Sequence, residues 1–482
     1  MSDLKAKVIT ATKWSSITEI AAKLVTPIST MVLARLLSPE AFGVMVTAVM
    51  VISFSEIFAD AGFQKYLIQY PFKSVQDLYK STTVAFWSNL IVSLFLWGII
   101  IVFSKSIATF IGNEGYGDVI SVSCVCIPLS AFSSIQMALY KRDFNFKTLF
   151  TVRIVGVCIP LIITIPLAYF TRSYWALIVG MIALNLSNAL LLTVKSKWKP
   201  SFYFSFPLLK KMFSFTVWSM FEAVSIWLTG YIDVFIVGAA LNQHYLGIYR
   251  TSTAMVGQIT GIITTATTPI LFSLLSRLQD DTLEFKRVFL KFQKIVGLLV
   301  LPIGVGLFWF RGFITEILLG SQWYEASYFI GIWGLSSAFT IILAHYCSEV
   351  YRAKGKPQVS VLIQVSHLLF LVPIILWSVQ FGFDFLCEMR SLIRIELIIA
   401  NLFMLNWLFK ISIRDITINI LPSIIATLAM IFALFLLPEV DSDILVNILF
   451  ILLAILVYTS ILLLFFPIER NILLNLKQIL KK

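Results

Sequence analysis

Arg35-Leu-Leu-Ser-Pro-Glu-Ala-Phe-Gly43 joins the first two hydrophobic segments of the chain, and Ala240-Leu-Asn-Gln-His-Tyr-Leu-Gly247 joins two more at an offset of 204 residues. Without a gap, Trp14 falls on Trp218, Ser15 on Ser219, Leu24 on Leu228, Ile28 on Ile232, Leu37 on Leu241 and Gly43 on Gly247. A second echo follows, Ile111-Gly-Asn-Glu-Gly-Tyr116 against Leu319-Gly-Ser-Gln-Trp-Tyr324. The same turn recurring at the same place marks a chain of two alike halves. In a membrane protein such a duplication points to a transporter, with its substrate site where the halves meet.

Working outward from that repeat, the composition leaves only a membrane reading. Hydrophobic residues make up 59% of the 482, charged ones 13%, and the mean hydropathy is +0.92. Apolar runs of about 20 residues, each long enough to cross a bilayer as a helix, recur from end to end. Fourteen can be placed, from 9–36 and 40–62 at the start to 413–438 and 441–466 at the end. The fold class expected is an all-α polytopic membrane protein of about 14 transmembrane helices. Its domains are an N-terminal lobe of helices 1–6 (residues 1–203), a C-terminal lobe of helices 7–12 (204–411), and helices 13 and 14 with a basic tail (412–482). The least regular span, 385–409, carries Glu388, Arg390, Arg394 and Glu396 near its start.

The net charge of +12 reports topology rather than nucleic-acid binding. With the N-terminus inside, most Lys and Arg residues fall in cytoplasmic segments, such as Lys195, Lys197, Lys199, Lys210 and Lys211, while outer loops are short and poor in them. This is the positive-inside pattern, with both termini cytoplasmic. Lys5, Lys7 and Lys13 precede the first span without a small-residue cleavage site after it, so that span is expected to be retained. The five cysteines form no CxxC pair and read as core filler, and His244, His345 and His367 have no metal-ligand spacing. No metal or cofactor is expected. Pro27, Pro128, Pro160, Pro166, Pro269, Pro302, Pro373 and Pro422 lie inside spans, where they kink helices lining a cavity or record plain packing irregularity.

A charged side chain near mid-bilayer costs at least about 2.5–3.5 kcal/mol, so each must be paired, wet or functional. Such charges concentrate in helices 1, 2, 7 and 8, the start of each repeat. Glu19 and Lys23 are one turn apart and of opposite sign; Glu56 and Asp60 are one turn apart and of like sign. Arg153, Glu222, Asp233 and Arg250 follow. One reading is structural: an internal Glu19–Lys23 bridge, Arg153 and Arg250 snorkelling, Asp233 bonded to a neighbouring helix. The other is a water-filled space in which Lys23, Arg153 and Arg250 bind an anionic substrate and Glu19, Glu56, Asp60, Glu222 and Asp233 couple an ion. Glu56 and Asp60 are the best coupling pair, because ionising both in low dielectric is costly; H⁺ and Na⁺ fit equally.

No GxxxxGK[ST], GxSxG or HExxH sequence is present, and no outer loop is large enough to hold chemistry, so an enzyme is not expected. Leu33-Ala-Arg-Leu-Leu-Ser-Pro-Glu-Ala-Phe-Gly43 with Glu56-Ile-Phe-Ala-Asp-Ala-Gly62 resembles the opening of the Wzx-type bacterial polysaccharide flippases, in the multidrug/oligosaccharidyl-lipid/polysaccharide exporter superfamily. Lys141-Arg-Asp-Phe-Asn-Phe-Lys147 and Tyr231-Ile-Asp-Val-Phe-Ile-Val-Gly238, running into Tyr245-Leu-Gly-Ile-Tyr249, add to the resemblance.

The resemblance implies a pair of six-helix lobes around a cationic cavity, working by alternating access in a bacterial inner membrane. The implied cargo is an undecaprenyl-pyrophosphate-linked oligosaccharide for O-antigen, capsule or exopolysaccharide synthesis, its tail left in lipid while the head crosses inside. Membrane lipids, a coupling ion, a polysaccharide polymerase and a chain-length regulator are the implied partners. In the related lipid II flippases two extra terminal helices line a groove for the tail, a role the resemblance extends to helices 13 and 14. A drug or small-cation exporter of the same superfamily is the alternative. It would favour an acidic, aromatic pocket with no need for Lys23, Arg153 and Arg250 together.

Overall fold

The computed structural model describes residues 25–143, 145–438 and 444–470, the side chains of 215, 218 and 266 aside. Glu19 and Lys23 lie outside the described residues. Among those described, thirteen helices are long and apolar enough to cross a membrane, and a shorter apolar helix, α1 (Val25–Leu36), precedes them. The chain is an all-α polytopic membrane protein. Every backbone N–H and C=O inside hydrocarbon must find its partner within the segment, and a helix does this alone.

By packing, the chain forms two compact units, Met1–Arg250 and Thr251–Lys482. In the first, α2 (Pro39–Asp60) is followed by a short helix α3 (Phe63–Gln69), then α4 (Val75–Phe110), α5 (Gly117–Arg142), α6 (Phe146–Thr171) and α7 (Trp175–Lys195). A last long helix, α8 (Phe206–Ala240), packs on α2, α3 and α4. A core of Phe63, Tyr66, Phe86 and Trp198, all buried, ties α3 to α4 and the α7–α8 connection. Arg142, in the stretch that carries the resemblance, donates to the carbonyls of Leu67 (2.7 Å), Ile68 (3.1 Å) and Tyr70 (2.9 Å) and lies over the Phe72 ring. One planar guanidinium thus satisfies the carbonyls that the end of α3 leaves open.

The second unit holds most of α9 (Gln243–Arg277), then α10 (Thr282–Trp309), a short α11 (Arg311–Leu318), α12 (Ala326–Ala353), α13 (Gln358–Phe381), α14 (Phe383–Phe409), α15 (Ile413–Phe435) and α16 (Ile444–Phe465). The two terminal helices are not independent of it. α15 packs on α10 and α16 on α15, around Leu298, Met430 and Leu462, and Tyr458 Oη donates to the Leu298 carbonyl at 2.9 Å. Their outer faces remain apolar and exposed, as helices against lipid should.

Proline accounts for part of the irregularity. A wider π turn, Pro160–Thr164, follows the ring that blocks regular bonding in α6, while a second, Ile341–His345 in α12, has no proline to announce it. Within α14 the helix is interrupted by a single turn at Ile393, and the charges of 385–409 find partners on either side of it. Glu388 accepts from Tyr328 Oη (2.6 Å), Glu396 from His367 Nδ1 (3.0 Å), and Arg394 donates to Ser337 Oγ (2.6 Å).

Candidate functional site

The first unit brings together the two copies of the duplicated turn. Gly43 of α2 and Gly247 of α9 lie at a crossing so close that a Cβ on Gly43 would enter the Gln243 carbonyl. A Cβ on Gly247 would enter the Pro39 carbonyl in the same way. The contact is reciprocal, since Gln243 is the repeat equivalent of Pro39 just as Gly247 is of Gly43. Glu40 meets its own equivalent, His244, whose Nδ1–H donates to Oε1 at 2.5 Å. Only glycine allows two backbones to approach in this way. Gln243 Nε2 also donates to the Gly112 carbonyl at 3.3 Å, so the second echo motif joins the same seal.

At the other end of α2 the helix stops on two left-handed residues, Ala61 (φ 43°) and Gly62 (φ 78°), before α3 begins. Gly62 is required there twice over, for its φ and because Thr216 of α8 sits against it. This break turns Lys65 toward α8, where Nζ lies 2.6 Å from Glu222 Oε2. Between α2, α3, α4, α5 and α8 is a polar cavity of about 300 Å³, lined by Ser53, Glu56, Asp60, Lys65, Asn89 and Ser130 among others. Asn89 Nδ2 donates to Ser134 Oγ (3.3 Å) and accepts from Ser93 at Oδ1 (3.1 Å). Lys65 and Glu222 keep 46% and 59% of their side chains exposed, so this end of the cavity is not covered by protein.

An aromatic run leads away from the cavity. Trp227 Nε1–H donates to Ser53 Oγ (3.0 Å), and Trp227 stacks on Tyr231 with ring centroids 5.3 Å apart. Phe54 packs on Trp227 in a tilted contact at 4.7 Å, and the Arg250 guanidinium lies 5.3 Å over Tyr231. The buried Asp233 accepts from Tyr249 Oη (2.7 Å) and from the Val234 amide (2.8 Å).

Of the site residues expected from sequence, Glu56 and Asp60 therefore line one cavity, with Glu222 at its edge paired to Lys65. At the far end of the aromatic run Arg250 lies over Tyr231, and Asp233 is held by Tyr249. Arg153 is exposed on α6, with no hydrogen bond or ion pair among the described residues, and does not line this cavity. Sequence reasoning missed Lys65. Its signal was Ala61-Gly62, which ends one helix and starts another, but a lysine just past a span reads first as an interface residue. It also read His244 as structural without seeing that its partner is Glu40.

A family model described as "Polysaccharide biosynthesis protein" matches residues 32–328. An uncharacterized membrane protein in the cps region of Klebsiella pneumoniae is 21% identical over 78% of this chain and 77% of its own. The succinoglycan biosynthesis transport protein ExoT of Rhizobium meliloti (strain 1021) is 22% identical over 69% of this chain and 66% of its own. Among solved structures, lipid II flippase MurJ in an inward closed conformation aligns with a TM-score of 0.71 at 17% identity, covering 93% of this chain and 98% of that one. The fold is thus shared with MurJ. The chain belongs to the polysaccharide biosynthesis protein family, the Wzx-type membrane proteins that its opening motifs resemble.

Proposed function

We propose that this protein carries an undecaprenyl-diphosphate-linked oligosaccharide from the cytoplasmic to the outer leaflet by alternating access, for O-antigen, capsule or exopolysaccharide assembly. One observation carries the reading: α2 is packed shut against α9 where it begins, while where it ends it and α8 stand open, wet in this reading. The Gly43–Gly247 crossing closes the end where α2 begins, and the Lys65–Glu222 pair stands exposed where α2 ends. With both termini cytoplasmic, as the distribution of Lys and Arg supports, the wet end faces the cytoplasm of a bacterial inner membrane. The lobes are then 1–203 and 204–411, with 412–482 docked on the second. The work is transport without bond chemistry, alongside a polymerase and a chain-length regulator.

A diphosphate head cannot cross hydrocarbon unaided, so it needs a cation along its path. Lys65 is placed for this. An exposed ion pair contributes only about 0–1 kcal/mol, so a diphosphate can draw Lys65 away from Glu222 at little cost. Arg250 over Tyr231 is the next cation along the aromatic run, and Phe54, Trp227 and Tyr231 offer faces for sugar rings. Glu56 and Asp60 are the ion-coupling pair, for H⁺ or Na⁺. Asp233, already engaged by Tyr249 and Val234, orients α8 against α9 instead.

Cells lacking the protein should lose surface polysaccharide and accumulate its lipid-linked unit on the cytoplasmic side of the membrane. Normal surface polysaccharide, with no second flippase in the cell, overturns the proposal. Complementation with Lys65→Met should restore about a tenth of the export or less at equal protein level, since one charge-assisted hydrogen bond is worth about 1.5–3 kcal/mol. Full restoration by that variant removes Lys65 from the path.

A further inference from the structure

The connection between α7 and α8, residues 196–205, holds no helix and no acidic residue. Between Asp143 and Glu222 the chain carries neither Asp nor Glu, while Lys195, Lys197, Lys199, Lys210 and Lys211 fall in and around the connection. Lys199 donates to the Thr193 and Val194 carbonyls, and Lys211 lies over the Tyr70 ring. Lys195, Lys197 and Lys210 are exposed and pair with no carboxylate among the described residues.

The second observation is the apolar surface that the same stretch presents. In Ser201-Phe-Tyr-Phe-Ser-Phe206, leading into α8, Phe202, Phe204 and Phe206 are 98%, 53% and 69% exposed. The backbone that carries them is fixed to α4. Buried Trp198 donates from Nε1 to Thr83 Oγ1 (3.3 Å), and Trp87 Nε1–H donates to the Ser201 carbonyl (2.8 Å). Exposed rings grouped with basic residues mark an interaction surface rather than ordinary solvent exposure.

The depth of this surface follows from α4. From Trp87 to Phe110, where the helix ends, the rise is about 35 Å at about 1.5 Å per residue. Hydrocarbon about 30 Å thick, with Phe110 at one boundary, therefore ends close to Trp87 at the other. Tied to Trp87 through Ser201, the phenylalanines stand where acyl chains meet head groups.

We propose that the α7–α8 connection is a docking surface for anionic phospholipid. Phe202, Phe204 and Phe206 enter the acyl boundary, and Lys195, Lys197 and Lys210 gather lipid phosphates around them. Aromatic burial and attraction to anionic lipid add in such a surface, and the second contribution sets the lipid class. A zwitterionic bilayer satisfies the rings alone. A second copy of the same face would set lysine against lysine. The inference is independent of what the protein transports, because docking is read without transport.

The test is a nitroxide spin label at Phe204→Cys in the full-length protein carrying Cys158→Ala, the other four cysteines being buried. The protein is placed in nanodiscs of phosphatidylglycerol or of phosphatidylcholine. Collisions with oxygen, which concentrates in lipid, and with a water-soluble nickel chelate give the ratio of immersed to water-exposed label. In phosphatidylglycerol the immersed form should dominate. Each lysine near an anionic surface is worth about fivefold in partitioning, so Lys195→Gln, Lys197→Gln and Lys210→Gln together should lower the ratio on the order of 100-fold. Exchange of phosphatidylglycerol for phosphatidylcholine should do as much. If the triple variant does not elute as folded protein, the lipid exchange decides alone. A label open to the nickel chelate in both lipids overturns the proposal, as does equal immersion in both. Shielding from both reagents would mean that a protein surface covers the rings, and would overturn it equally.

Discussion

Export should fall on the order of 100-fold when Gly43 is replaced by valine, because overpacking a close contact costs about 1–3 kcal/mol and three added carbons exceed the usual case. The added Cβ meets a backbone carbonyl, that of Gln243, which cannot rotate away as a side chain would. Gly247→Val should do the same through the Pro39 carbonyl, since the contact is reciprocal. The alanine variants should fall between. Surface polysaccharide measured against protein abundance reads the effect. A membrane-impermeant thiol reagent applied from outside to a Ser53→Cys variant separates a seal held open from a protein that fails to fold. With Gly43→Val the label should enter faster than in the protein carrying Ser53→Cys alone. Normal export by both valine variants would mean that these helix ends need never close on each other.

Gradient-driven accumulation should be lost when Glu56→Gln and Asp60→Asn are combined. An amide neither releases a proton nor balances a cation, so the cavity keeps its shape and loses its coupling. One elementary charge moved through 100 mV is worth about 2.3 kcal/mol, so loss of a single coupled ion should lower accumulation by about 50-fold in proteoliposomes under an imposed potential. Imposing a proton gradient and a Na⁺ gradient separately identifies the ion. Each single variant should lose less than the pair if the two carboxylates share one ion. Undiminished response to both gradients in the double variant would remove Glu56 and Asp60 from coupling.

The spans were legible because hydropathy sums over about 20 residues and tolerates misplacement of any one of them. Even 385–409 crosses as one span with a single turn at Ile393, its Glu388, Glu396 and Arg394 met by Tyr328, His367 and Ser337 from α12 and α13. The duplication was legible as well, down to Gly43 and Gly247. Glu40 and His244 stand at equivalent positions of the two repeats, yet unlike residues score nothing in an alignment and their contact went unseen. The carboxylate pair Glu56–Asp60 could be read from spacing alone, since one turn of helix puts both on one face. Its neighbours Asn89 and Ser130 could not, because serine and asparagine inside a span carry no charge to flag them.

What the amino-acid order determined by itself is the local content: which stretches must be helix, which are apolar enough to lie in lipid, and where the turn at Arg35–Gly43 recurs. Which charge meets which was decided by tertiary structure. The Ala61–Gly62 break and the approach of Thr216 bring Lys65 to Glu222. Arg153, equally charged and as favourably placed along the chain, stands exposed on α6. A helix fixes the angle between its own residues but not the direction its face takes in the bundle; that direction follows from how neighbouring backbones pack, and glycine at the crossings sets how near they come.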